Sequence, residues 1–251
     1  MGVPLHGGWR LDAAQQEVKE HSLAMFTAQL AQSRALLGDR LALYQVHSVT
    51  ADSGLFTDAP LLTALARLRA EGVIIGVTTT GPAQAETVRR ALEVTVDGQQ
   101  LVTSAQVTWN VLEPSVGPAA AEAAAADWAV LVKEAVANGR LTPAGKPPAP
   151  VTALAAARGV TEDAIALAAA LAQPWASVVL SGAVTRAAAG RQHGRAHGEP
   201  ASGAGSRRIH RRVLGSPGSQ GVALSRQLAR ASTTQAQPGA RLDRHRTRSP
   251  S

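Results

Sequence analysis

Two kinds of hydrophobic pattern alternate along the chain between about residue 10 and residue 185. Apolar residues that recur every three or four positions predict amphipathic helices, and short apolar runs rich in β-branched residues predict buried strands. The helical pattern covers residues 12–37, 59–71, 83–92, 119–126 and 161–172. The strand pattern covers residues 41–48, 73–80, 103–109, 128–133 and 176–181.

Residues at the ends of the predicted helices support these assignments. Gly38 follows the first helix in the position where a glycine commonly ends one. Thr161 stands where an N-cap is expected, and Glu162 and Asp163 place negative charge in the first turn. The first helix is predicted to bury one apolar stripe, which consists of Leu23, Phe26, Leu30, Leu36 and Leu37.

The predicted strands are apolar on both faces, which indicates a parallel sheet covered by helices. Alternating strands and helices of this kind are typical of a doubly wound fold or a (β/α) barrel. The pattern yields five strands rather than the eight of a complete barrel. Both interpretations are open on the pattern alone, and the predicted fold class is α/β.

Charge divides the chain into two parts. The formal net charge is +7, but residues 1–185 carry −4 and residues 186–251 carry +11. All the aromatic residues precede residue 185, so the Arg/Gly/Pro/Ser-rich remainder has too few apolar side chains to offset the entropy of ordering its backbone. We expect a folded domain over 1–185 and a disordered basic tail over 186–251.

The composition also excludes several classes of protein. The chain has no cysteine, which excludes a disulfide framework and thiolate-bound zinc and fits a reducing cytoplasm. Residues 1–10 contain no apolar run long enough for a signal peptide. The uncharged stretch 164–185 is interrupted by Pro174 and predicts a helix followed by a strand, so no membrane span is expected. We expect no metal site either.

Four short motifs occur in the order in which they stand in the aldo/keto reductase family. They are LYQVHS at 43–48, IGVTT at 75–79, AQVTWN at 105–110 and VLSGA at 179–183. The sequence over about residues 9–185 therefore resembles helix three and strands four to eight of that family's (β/α)8 TIM barrel. The resemblance implies a partial barrel that uses NADP or NAD to transfer a hydride to or from a carbonyl or alcohol substrate.

The resemblance also implies roles for individual residues. His47 matches the active-site histidine that helps orient the substrate carbonyl. Thr78 and Thr79 match the Ser-Asn pair that holds the nicotinamide carboxamide, and Gln106 matches the glutamine that completes this clamp. A histidine at the carboxyl end of a strand can also reach a bound oxygen on general grounds.

Three further positions are cofactor-binding candidates by the same resemblance. Ser181 and Gly182 match the start of the segment that cradles the cofactor phosphate. Lys133 stands at the end of the strand where many members carry an aromatic residue that stacks on the nicotinamide ring.

The family's catalytic Asp, Tyr and Lys lie on or just after the first three strands, which the resemblance does not include. Tyr44 precedes His47 by three residues on the same strand, so the two side chains are expected to point to opposite faces of the sheet. We therefore do not expect full reductase activity from this chain. Two other functions are open: a partner-binding or self-associating half barrel with open sheet edges, and weak, unspecific nucleic-acid binding by the Arg-rich tail.

Overall fold

The computed structural model of the chain describes residues 19–183 and 186–192. The strands in these residues are β1 (Leu43–Val49), β2 (Ile74–Thr79), β3 (Thr95–Val96), β4 (Gln99–Gln100), β5 (Ser104–Thr108), β6 (Ala129–Lys133) and β7 (Val178–Val179). The helices are α1 (Leu23–Leu37), α2 (Ala59–Ala70), α3 (Gln84–Leu92), α4 (Gly117–Ala125), α5 (Ala149–Arg158), α6 (Glu162–Leu171) and α7 (Arg186–Gln192). None of these helices is both long and apolar enough to cross a membrane.

Five of the strands form one parallel sheet in the order β1-β2-β5-β6-β7. Each strand of this sheet therefore lies beside the strand of the same sheet that follows it along the chain, as in a (β/α) barrel, and every connection contains a helix. Strands β3 and β4 form a separate antiparallel hairpin, turned by Asp97 and Gly98 with positive φ angles of 51° and 71°. Within the described residues, β1 and β7 are the two edges of the sheet.

The two faces of the sheet differ in burial. Alternate strand residues point toward the helices and are buried; they include Tyr44, Val46, Ile75, Val77, Ala105, Val107, Val130, Val132 and Val179. Tyr44 packs edge to face on Phe26 of α1, with ring centroids 5.5 Å apart. We call the other face the inner face. Of its apolar members, Ile74, Val178 and Leu180 are 44%, 46% and 40% exposed, and Leu43 and Leu131 are half-buried.

The first helix is shorter than its periodicity predicts. It begins at Leu23, because Ser22 adopts an extended backbone and its hydroxyl accepts a hydrogen bond from the Met25 amide. Residues 19–22 therefore precede the helix, and the predicted residues 12–18 lie outside the described part of the chain. The predicted apolar stripe is also wrong in part, since Phe26 is buried but Leu36 is 85% exposed.

Other differences concern short or alanine-rich segments. Helix α5 was not predicted, and it ends at Gly159 in the left-handed conformation. The strand predicted over 176–181 is reduced to β7. Thr161 occupies the N-cap position of α6 as predicted, but its hydroxyl makes no capping hydrogen bond.

The domain boundary predicted at residue 185 falls beside a described helix. Helix α7 occupies the first seven residues of the stretch predicted to be disordered, and it lies against α6. The sequence RAAAGRQ contains three consecutive alanines, and alanine has the highest helix propensity. Residues 193–251, to which the rest of the tail prediction applies, lie outside the described residues.

Candidate functional site

The end of β1 contains a β-bulge at His47 and Ser48. Val46 pairs with Val77 and Val49 pairs with Thr79, so β1 has one more residue than β2 over this interval. Ser48 takes a positive φ of 52°, which is uncommon for a residue other than glycine. Bulges commonly redirect a side chain beside an active site, and here the side chain before the strained residue is His47.

Thr78 on β2 makes the side-chain contact to this bulge. Its Oγ1 lies 3.0 Å from His47 Nδ1 and accepts a hydrogen bond of 2.9 Å from the Ser48 amide. Thr78 is buried, whereas His47 is exposed. The structure thus brings together two of the residues that the sequence singled out.

A second histidine contacts the same strand end. His21 Nε2 lies 2.8 Å from the backbone oxygen of His47. Because a carbonyl oxygen can only accept, His21 must carry its donor proton on Nε2. This bond attaches the segment before α1 to the end of β1. Sequence reasoning missed His21, since no pattern links it to a strand 26 residues later.

Gln106 lies on the inner face and reaches across β2. Its Nε2 donates to Gln45 Oε1 over 3.2 Å, although β2 separates their strands. Gly76 on β2 leaves the necessary space, because a Cβ there would stand 3.0 Å from Ser104 Cβ and 3.1 Å from Gln45 Cγ. The glycine therefore permits an amide pair to span three strands.

Thr79 points the other way, toward the helices. Its hydroxyl is fully buried and lies 3.1 Å from Gln84 Oε1 and 3.3 Å from the Gln106 carbonyl oxygen. Gln84 also exchanges two hydrogen bonds with the Thr108 backbone, at 2.8 and 3.0 Å. Gln84, the first residue of α3, was not predicted; the signal that could have found it is a polar residue at a buried helix start.

Lys133 is the last residue of β6, lies on the inner face and forms a hydrogen bond to the end of β2. Its Nζ donates to the Thr79 carbonyl over 2.8 Å. The next residue, Glu134, has a positive φ of 57°, and its carbonyl accepts a bond of 3.0 Å from Asn110 Nδ2. A second strained residue thus follows a candidate side chain, and strained backbone tends to cluster at functional sites.

Ser181 and Gly182 follow β7, at the other edge of the sheet from His47. The Ser181 hydroxyl accepts a hydrogen bond of 3.3 Å from the Ala183 amide. Gly182 has a φ of 64°, and a Cβ placed there would meet no atom within 4 Å. The turn after β7 is therefore open on this side.

The electrostatics of the site are simple. Among the residues that the five parallel strands contribute to the inner face, Lys133 is the one Lys, Arg, Asp or Glu. Burial raises the pKa of Tyr44 to about 12, and its ring contacts α1 on the face opposite His47, as the spacing predicts. Within residues 19–183 and 186–192, no three His, Asp or Glu side chains are grouped to hold a metal ion.

No protein-family model and no curated protein matches the sequence. Among solved structures, the chain is similar to an aldo-keto reductase from Bacillus halodurans in its holo form, with 20% identity and a TM-score of 0.52 over 69% of this chain and 62% of that one. The apo form gives 18% identity and a TM-score of 0.54 over 82% of this chain and 68% of that one. A Pseudomonas aeruginosa protein assigned to the aldo-keto reductases gives 22% identity and a TM-score of 0.46 over 67% of this chain and 55% of that one.

The likeness to the Bacillus structures establishes the fold of the chain. It has the parallel α/β architecture of an aldo-keto reductase, in part, and it spans 62% of the length of the holo structure. The predicted fold class, a partial (β/α)8 barrel, and the stated resemblance are confirmed at this level.

Proposed function

We propose that the chain is an aldo/keto reductase-type oxidoreductase, which transfers a hydride between NADP or NAD and a small carbonyl or alcohol substrate. The observation that carries this proposal is the placement of His47 on a bulge at the carboxyl end of β1, hydrogen-bonded to Thr78. Gln106 and Lys133 lie on the same face of the same sheet. Active sites of (β/α) barrels lie at the carboxyl ends of their strands.

The donor set on this face fits a nicotinamide nucleotide at several points. Gln106 offers an amide, which can both donate to and accept from a carboxamide. Lys133 adds a positive charge, and we assign a cofactor phosphate to the turn at Ser181 and Gly182, where a Cβ on Gly182 would meet no atom within 4 Å. Thr79 fits less well, because its hydroxyl faces Gln84 on the helix side.

In the proposed reaction, His47 would hold the substrate oxygen while a carbonyl carbon gains a hydride or, in the reverse direction, an alcohol carbon loses one. A bound nicotinamide would supply the hydride in its reduced form and accept it in its oxidised form. Tyr44 lies against α1 on the opposite face, so in this proposal the substrate oxygen exchanges its proton with solvent water. The residues of the inner face would bind the cofactor and orient the substrate.

Titration of the full chain with NADPH and NADH, followed by quenching of tryptophan fluorescence, tests the binding step. We expect saturable binding that Lys133→Met weakens by about tenfold, because a charge-assisted hydrogen bond is lost. Arg67→Met removes an exposed positive charge from α2 and should leave the affinity unchanged. Absence of saturable binding for both nucleotides, or equal weakening by both variants, contradicts the proposal.

Two finer parts of the proposal concern the setting of the reaction. We place it in the cytoplasm, where nicotinamide nucleotides are abundant and a chain without cysteine is suited to the reducing conditions. Comparison of the affinities for NADPH and NADH in the same titration decides which cofactor is preferred.

A second candidate is a half barrel that associates with another copy of itself. The exposure of Ile74, Val178 and Leu180 on the inner face favours this candidate, together with the edge positions of β1 and β7 in the described sheet. Open strand edges and exposed apolar faces promote association. Light scattering coupled to size-exclusion chromatography should then show a mass that rises with concentration, whereas a monomer at every concentration excludes it.

A further inference from the structure

We propose that Thr78 is a positioning residue for His47: its hydroxyl holds the bulge of β1 and keeps the neutral imidazole in the form that carries its proton on Nε2. The juxtaposition that supports this is one buried oxygen, Thr78 Oγ1, placed against both the Ser48 amide and His47 Nδ1. This role differs from the carboxamide contact that the sequence resemblance implies for the same residue.

The bulge changes the hydrogen bonding of the β1 backbone. An extra residue in one strand leaves a ladder group without its usual partner, and a buried amide without a partner costs about 1–3 kcal/mol. Ser48 is buried, and its amide donates to Thr78 Oγ1 over 2.9 Å. The side chain of the facing strand therefore replaces the missing backbone acceptor.

The Thr78 hydroxyl also carries a proton. A threonine hydroxyl has one proton to donate and two lone pairs that accept. One lone pair of Thr78 is occupied by the Ser48 amide, and a buried hydroxyl donates its proton where an acceptor is in reach. His47 Nδ1 lies 3.0 Å from this oxygen, within reach of the hydroxyl proton. It can accept this hydrogen bond in the neutral form of His47 that carries its own proton on Nε2, and the proposal assigns His47 this form.

This tautomer makes His47 Nε2 available as a donor in the proposed function. With Nδ1 accepting from Thr78, the other ring nitrogen is a donor, and a donor recognises an oxygen with free lone pairs, such as a carbonyl or an alkoxide. The identity of that oxygen rests on the proposed function. The bulge and the tautomer do not, and they can be measured without a cofactor or substrate.

The test uses the full chain with 15N-labelled histidine, and two-dimensional NMR reports the protonated nitrogen of each neutral imidazole. The His47 signals are identified by their loss in His47→Gln. We expect a neutral His47 that is protonated on Nε2 alone. A His47 protonated on Nδ1 overturns the proposal without the need for any further variant.

Three threonine variants then separate positioning from general stability. Thr78→Val keeps the shape and removes the hydroxyl, so the tautomers should mix and the Ser48 amide should exchange with solvent about tenfold faster. Thr78→Ser should restore both properties. Thr79→Val removes a neighbouring hydroxyl that contacts Gln84 and should leave both readouts as in the parent chain. Equal effects of the two valine variants, or no rescue by serine, overturn the proposal.

These outcomes are distinguishable from failure of the proposed function. If the chain binds neither NADPH nor NADH and the tautomer is as expected, the reductase proposal fails and the positioning role of Thr78 stands. If nucleotide binds and the tautomer differs, the opposite conclusion holds.

Discussion

Single residues on the inner face show how closely neighbouring strands must pack to form the site. Gly76 is the clearest case, because the space that a side chain would fill is occupied by Ser104 and Gln45. The hydrogen bond between Gln106 and Gln45 passes over the same position. A glycine is therefore required there by close approach and not by an unusual backbone angle.

Substitution of Gly76 tests this reasoning. We expect Gly76→Ala to lower the free energy of unfolding by about 1–3 kcal/mol, since the new Cβ would force its neighbours apart. Gly54→Ala is the control, because a Cβ at that site meets one backbone oxygen at 3.7 Å, an ordinary contact. Urea denaturation measures both values. If the two variants are equally stable, the close approach at Gly76 has no energetic role.

The single tyrosine gives a prediction about pH. Burial raises the pKa of Tyr44 to about 12 in the folded chain, while an unfolded tyrosine has a pKa of about 10. Because the folded state favours the neutral phenol, this contribution to stability is complete below about pH 10 and is lost as the pH rises toward about 12.

Tyrosinate absorbance reports this ionisation directly, since Tyr44 is the one tyrosine in the sequence. We expect a midpoint at about pH 12 for the folded chain and at about pH 10 in denaturant. Tyr44→Phe should remove the corresponding loss of stability in urea denaturation between these two pH values. A folded-state midpoint equal to that in denaturant contradicts the burial argument.

At the level of secondary-structure elements, Gln84 joins two βα units. It starts α3, lies against Thr79 at the end of β2, and bonds in both directions to the Thr108 backbone at the end of β5. Its side chain is almost fully buried. One amide therefore fixes the carboxyl ends of two adjacent strands, and these ends carry the candidate site.

We expect Gln84→Leu to lower the free energy of unfolding by about 2 kcal/mol, because it leaves backbone groups of Thr108 without partners. Amide exchange at Thr108 should become faster in the same variant. Glu86→Gln, on the exposed side of the same helix, should change stability by less than about 0.5 kcal/mol. Unchanged exchange at Thr108 would mean that Gln84 does not hold this strand end.

The elements also show which features a sequence pattern can predict. The five parallel strands were predictable because β-branched runs such as the one around Val77 are buried in the sheet. Helix α5 was not, because prolines at its start and its many alanines weaken the periodic signal. The start of α1 depends on the Ser22 cap, which competes with a helical pattern that continues before it.

The residues of the candidate site also divide into those that the sequence predicted and those that it did not. The order of motifs allowed His47 and Gln106 to be singled out, and the structure places both on the inner face. His21 and Gln84 could not be found in this way, since their contacts depend on loops and helix starts that meet only after folding. The functional roles of the predicted residues stay predictions until nucleotide binding is measured.

At the scale of the whole molecule, the unequal burial of the two sheet faces is the main feature. The face toward the helices is lined by fully buried side chains such as Val46, Val107 and Val132. The inner face combines exposed apolar residues with the polar candidates of the site. In a closed barrel this face would be the packed interior, so contact between exposed inner faces would remove apolar surface from water.

This difference predicts how surface variants affect self-association. Val178→Lys together with Leu180→Lys places charge on the inner face, and we expect it to weaken association measured by light scattering. Leu36→Lys is the matched control, because Leu36 is more exposed but lies on α1, away from the sheet. A hydrophobic dye should bind less to the double variant than to the control. If the control reduces association and dye binding as strongly, association arises from scattered apolar residues and not from the inner face.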